Sequence, residues 1–167
     1  GGASRFYKPS SFTVIAGRNG SKAPYGTCGA KRLHSVVGWT SKGLIGHDYG
    51  AIRLDCKVGR KTGWFGYAPA RSVVDGLKVT IAGYPCDKSN GTMWRMGGKI
   101  LASSKTQVGY TIDTFGCQSG SPVFQTTTKG PQVVAVHAYF VSQDGVQFNA
   151  GTRVNGTVAR NISAWRK

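Results

Sequence analysis

Glutamate is absent from this 167-residue chain, and its acidic residues are six aspartates, at 48, 55, 75, 87, 113 and 144, against 22 Lys and Arg. Glutamate is normally among the commonest residues. The resulting formal net charge of +16 attracts polyanions or acidic substrates but carries no information about fold. Other absences narrow the function further. No long basic run marks a nucleic-acid arm, and no nucleic-acid-binding motif is visible, so specific nucleic-acid recognition is not expected. The longest apolar stretch, around "VVAVHAYFV", is far too short to span a bilayer, so no membrane role is expected. No C-x-x-C spacing points to zinc, and neither a metal nor a cofactor is called for. No secretory leader is recognisable, and the sequence reads as a mature or processed form.

The features present point outside the cell. Four cysteines, at 28, 56, 86 and 117, form an even set that fits two disulfides in an oxidising compartment. Four of the five asparagines, Asn19, Asn90, Asn155 and Asn161, open N-x-S/T sequons, the acceptor pattern of a glycoprotein secreted by a eukaryotic cell. Short alternating or β-branched runs, such as "SFTVIAG", "LHSVVGW", "GAIRLDC", "LKVTIAGYP", "VGYTIDTF" and "QVVAVHAYF", are separated by Gly, Pro, Asn and Asp. This is the pattern of an all-β sandwich or barrel. One helix is expected, at "NGTVARNISAWR", where Val158, Ile162 and Trp165 share a face. A soft boundary near "TGWFGYAPARS" divides the chain into residues 1–67 and 68–167.

"DTFGCQSGSPVF" places Ser119 in a tight Gly-rich turn just before an apolar strand, the presentation a nucleophile needs. A nucleophile elbow of the α/β-hydrolase type requires Gly two residues before the serine. Cys117 stands there, in an all-β context. The segment resembles instead the nucleophile loop of the glutamyl-endopeptidase (V8-like) branch of the chymotrypsin-like serine proteases. The likeness continues through "GHDYGAIRLDC", "AGYPCDKSNGTMWRM", "VVAVHAYF" and "NAGTRVN", in the right order along nearly the whole chain. It implies a chymotrypsin-like double β-barrel with a C-terminal helix and a catalytic cleft between the barrels. Residues 1–67 would be the remainder of the first barrel, lacking its N-terminal strands, and residues 68–167 the second.

The resemblance assigns roles residue by residue. Ser119 matches the nucleophile and Asp48 the carboxylate that orients the base and stabilises its imidazolium. The backbone N–H groups of Cys117 and Ser119 match the oxyanion-hole donors. Thr114 and His137 match the residues that hold a substrate glutamate, whereas Asp113, six residues before Ser119, is the rival that would instead bind Arg or Lys. A chain with many Lys and Arg and no Glu offers no self-cleavage site to a Glu-specific enzyme.

The base is missing. The family carries it in a T-A-x-H-C motif several tens of residues before the aspartate, and no such motif occurs here. His47 adjoins Asp48 and should face the other way, His34 lies on an alternating run, and His137 maps to the substrate pocket. The expectation is therefore a serine endopeptidase whose histidine arrives on an N-terminal fragment of its own precursor. The alternatives are a non-catalytic cationic protease-like binding protein or a protease of trypsin-like specificity. Two positions depart from the family, which usually carries Gly at Cys117 and often at Cys86. Cysteines at both imply a Cys86–Cys117 disulfide, leaving Cys28–Cys56 as the other.

Overall fold

The computed structural model describes residues 6–67, 69, 74–143 and 145–166. A short strand β1 (Thr13–Val14) pairs antiparallel with β2 (Cys28–Ser35), which pairs in turn with β3 (Gly50–Leu54). Opposite residues include Leu33 with Ile52 and His34 with Ala51. This small sheet has the order β1-β2-β3 and does not close. Between its strands the chain forms a one-turn helix α1 (Val37–Thr40), and after β3 a second, α2 (Gly59–Thr62). The run "LHSVVGW", expected as a strand, is thus split: β2 ends at Ser35, and Val37 to Thr40 turn helically. "SFTVIAG" likewise contributes only the two residues of β1.

The second unit closes on itself. Strands β4 (Lys78–Gly83), β5 (Trp94–Ser103), β6 (Gln107–Tyr110), β7 (Pro122–Thr127), β8 (Gly130–Gln143) and β9 (Val146–Arg153) form a barrel in the order β4-β5-β6-β9-β8-β7. Pairing of β4 with β7, Ile81 opposite Val123, completes the ring. Alternation along β4 turns Val79 and Ile81 inward, where they meet Ile100, Val108, Tyr110, Ile112, Val123 and Val134. Closure removes every unpaired edge from these strands.

Helix α3 (Gly156–Trp165) follows β9 directly. Its N-cap is Asn155, whose side-chain oxygen accepts from the N–H groups of Thr157 and Val158 at 3.0 Å each. Such a cap satisfies two of the orphan donors of a helix start. Val158 and Ala159 pack with Tyr49 and Val154, and Ile162 and Trp165 flank the same cluster. The helix therefore joins the barrel to the segment carrying Asp48. The boundary expected between residues 67 and 68 adjoins residues 68 and 70–73, which lie outside the described residues.

Candidate active site

Ser119 sits at the turn between the end of β6 and the start of β7. Two backbone bonds fix that turn against β8. The N–H of Gly120 donates to the His137 carbonyl at 2.8 Å, and the N–H of His137 donates to the Ser121 carbonyl at 3.0 Å. Within the loop, Gln118 acts as an internal strut. Only 7% of it is exposed, and its Oε1 accepts from the Phe115 N–H at 2.8 Å. Its own N–H donates to the Phe115 carbonyl at 3.3 Å, and its carbonyl accepts from Ser121 at 2.9 Å. The N–H groups of Gly116, Cys117 and Ser119 are left without an acceptor among the described residues. Unpartnered amides in a serine-bearing turn are available to stabilise an oxyanion.

Cys117 has φ 76°, the only positive value at a non-glycine position among the described residues. A left-handed backbone is disfavoured for a residue carrying Cβ. Cys117 is bonded to Cys86 in the β4–β5 connection, with Cα atoms 5.6 Å apart, and Cys28 is bonded to Cys56. The Cys86 N–H also donates to the Gly116 carbonyl at 3.0 Å.

Asp48 follows a single 3-10 turn, Ile45–His47, just before β3. It borders the same cleft as Ser119, about 590 Å³ in volume and walled by His34, Trp39, Tyr49, Val136 and His137 among others. Its Oδ2 accepts from the phenol of Tyr139 at 2.6 Å, a bond that crosses from β8 of the barrel to the open sheet. Burial, then the bond to Asp48 and its charge, push ionisation of Tyr139 upward, so the phenol remains the donor. The sequence reading did not find Tyr139. Its position two residues after His137 was the available signal, but a bulge in β8 between those residues breaks simple alternation.

None of the three histidines hydrogen-bonds Asp48 or Ser119 among the described residues. The ring of His34 stacks on Trp165, with centroids 5.4 Å apart, and its buried Nε2 has no partner. His47 lies over Gly38 of α1. His137 is 4% exposed, and its Nδ1 lies 2.6 Å from the Tyr110 hydroxyl. Burial pulls the His137 ring below the ordinary histidine value, offset in part by the Ala150 backbone. Burial also raises the Tyr110 phenol, which keeps its proton. The arrangement is consistent: Tyr110 donates to Nδ1 of a neutral ring whose proton is on the other nitrogen.

Thr114 and Asp113 are placed apart from this cleft. They line a separate pocket of about 200 Å³ with Trp94, Phe115 and Gln118. The Thr114 hydroxyl donates to Asn149 Oδ1 at 2.9 Å, and Asn149 Nδ2 donates to the Ile112 carbonyl at 2.8 Å. Among the sequons, Asn155 and Asn161 have their amide nitrogens in use, donating to the Lys105 carbonyl at 3.0 Å and to the Tyr49 hydroxyl at 2.7 Å. Asn19 and Asn90 lie on exposed turns joined by a Gly20 N–H to Gly91 carbonyl bond of 3.0 Å.

The fold is that of the chymotrypsin-like serine proteases. A solved structure described as a Glu endopeptidase in complex with MPD superposes with a TM-score of 0.84 at 25% identity, covering 96% of this chain and 76% of that one. In sequence, a glutamyl endopeptidase of Bacillus licheniformis is 42% identical over 159 residues, 92% of this chain and 50% of the relative. A Bacillus subtilis protein named extracellular metalloprotease is 41% identical over 158 residues, 93% of this chain and 49% of the relative. The chain is thus a homologue of glutamyl endopeptidases, and it spans about half the length of the curated relatives it matches. No family model matches it. Among the described residues, Cys28, Asp55 and Cys56 are close enough to share a metal ion, but the two sulfurs are bonded to each other and offer no thiolate.

Proposed function

We propose that this chain is the nucleophile-bearing part of a secreted serine endopeptidase that cleaves after glutamate, with its general base supplied by a histidine on a separate N-terminal segment. The observation that carries the reading is that Ser119 and Asp48 border one cleft, with unpartnered amides at 117 and 119 and no imidazole bonded to Asp48. In this scheme the incoming histidine, oriented by Asp48, takes the Ser119 proton as Oγ attacks the scissile carbonyl. The amides of Cys117 and Ser119 bind the oxyanion, the leaving amine takes the proton, and water then hydrolyses the acyl-serine by the same route. The open sheet supports a missing segment, because an exposed strand edge is a surface that native proteins cover. Residues up to 67 would then complete a first barrel with that segment.

Cleavage after glutamate is supported by the named relatives, by the charge of +16, and by His137 at the cleft wall. A neutral His137 protonated opposite Tyr110 is a donor to a carboxylate, replacing its backbone contact. Thr114 would assist, in a pocket reshaped by the substrate. The same surface charge steers acidic substrates inward.

The test is purification of the active protein followed by intact-mass measurement, which should reveal a second peptide containing T-A-x-H-C. Paired chromogenic peptides ending in Glu and Arg then decide specificity. A larger kcat/KM for the Arg peptide would assign the pocket to Asp113. A second reading, a non-catalytic cationic binding protein, is favoured by the charge of +16 and by the lack, among the described residues, of a histidine bonded to Asp48. Labelling of Ser119 by a fluorophosphonate in the two-peptide complex separates the two: a binder leaves Ser119 unlabelled.

A further inference from the structure

We propose that Cys86 is a positioning residue for the oxyanion site: through its disulfide it holds Cys117 in a backbone conformation that its side chain disfavours, and so aims the N–H at position 117. The inference rests on the reading of Ser119 as nucleophile. Cys117 alone among the described non-glycine residues has a positive φ, 76°. The Gln118 N–H to Phe115 carbonyl bond of 3.3 Å closes a turn with Cys117 at its third position, where one common turn type takes a positive φ suited to glycine and the other a negative φ. Cys86 adds the restraints that select between them at the 116–117 peptide, a covalent link to Cys117 and an N–H bond of 3.0 Å to the Gly116 carbonyl. Rotation of that peptide would turn the Cys117 N–H away from Ser119 and present a carbonyl oxygen to the developing negative charge. The disulfide is thus a substitute for glycine, which adopts the left-handed conformation without a Cβ penalty.

The substitution pair follows from that equivalence. Cys86→Ser removes the link but leaves a side chain at 117. Cys86→Ser/Cys117→Gly removes the link and also the disfavoured Cβ. Both lack the same disulfide, so a merely structural role would impair them equally. The two are compared with wild type in the two-peptide complex for kcat and KM, and in this chain alone by the amide resonances of residues 117 and 119. The single variant should lose on the order of 100-fold in kcat with KM within about twofold, the scale of one lost oxyanion donor. The double variant should recover to within about threefold of wild type. The resonances should shift in the single variant and return in the double one. Because the resonances are read without substrate or base, they decide the proposal even if the complex proves inactive. Folding of the double variant alone would also support it. Unchanged resonances and kcat in the single variant, equal impairment of both, or failure of both to fold would overturn it.

Discussion

The two β units of this chain differ in how completely each satisfies itself. The barrel of β4 to β9 closes hydrogen bond to hydrogen bond, and its interior holds fully buried Ile81, Ile100, Val108, Tyr110 and Val123. The sheet of β1 to β3 has two free edges among the described residues, and it and its connections leave Val37, Leu44, Ile45 and Ile52 exposed. The barrel carries the serine and the free amides, whereas the open sheet carries the aspartate. Chemistry that depends on both therefore inherits the weaknesses of the less complete unit. Contacts that tie the units include α3 over Tyr49, the Gln107 side chain to the Ile45 carbonyl at 2.9 Å, the Gly20 N–H to the Gly91 carbonyl at 3.0 Å, and the Tyr139–Asp48 bond.

The comparison breaks most visibly with paired isoleucine truncations. Ile81 is inside the closed barrel, and Ile81→Ala should lower unfolding stability by about 2–5 kcal/mol, the usual loss for a large buried aliphatic. Ile52 is 42% exposed on β3, and Ile52→Ala should change this chain by under about 1 kcal/mol. Urea unfolding of both variants measures the difference. In the two-peptide complex the Ile52 effect should grow, because the side chain would then be covered. An Ile52 effect that stays small in the complex would mean that the added segment does not seat on β3.

These two positions also show what could be read in the sequence. Alternation marked β4, where buried Val79 and Ile81 alternate with more exposed neighbours and period 2 records that difference, whereas β3, β7 and β8 were marked by short β-branched runs. Alternation failed at "LHSVVGW", where Val36 and Val37 are β-branched yet lie where the chain must turn back toward β3. Strand β5 carries the glycine pair Gly97-Gly98 and exposed Trp94 and Met96, so its apolar period is blurred. The serine loop and the aspartate were legible because short motifs surround them. The left-handed Cys117 was signalled through the resemblance, which usually has Gly at that position, whereas the Tyr139–Asp48 bond was not legible, since it joins residues 91 apart.

A smaller effect sharpens the contact between the units. Tyr139→Phe removes a donor to the Asp48 carboxylate and keeps the ring. Hydrogen bonds to charged groups contribute about 1.5–3 kcal/mol when shielded, and partial exposure of both residues reduces this to about 1 kcal/mol. Thermal unfolding should register that loss. Amide hydrogen exchange should locate it, with faster exchange at residues 48–54 and unchanged exchange in β4 to β7. Acceleration spread evenly over the barrel would show that Tyr139 serves the barrel core rather than the tie to Asp48.

The smallest effect is one of pH, and it belongs wholly to the barrel. Burial holds the His137 ring below its ordinary value near 6.5, so the folded chain resists a proton that the unfolded chain accepts. Above that value neither state is protonated at this residue, and His137 adds nothing to the pH dependence. As pH falls through it, the unfolded state gains a proton first and stability declines, with a slope of at most about 1.4 kcal/mol per pH unit for one group. The decline ends once pH passes below the folded value and both states are protonated. The informative quantity is the difference in slope between wild type and variant. Urea unfolding between pH 7.5 and about pH 5 should show a shallower decline for His137→Gln than for wild type, whatever the variant's stability at neutral pH. Equal slopes would mean that the ring accepts its proton as readily folded as unfolded, and that burial does not hold it neutral.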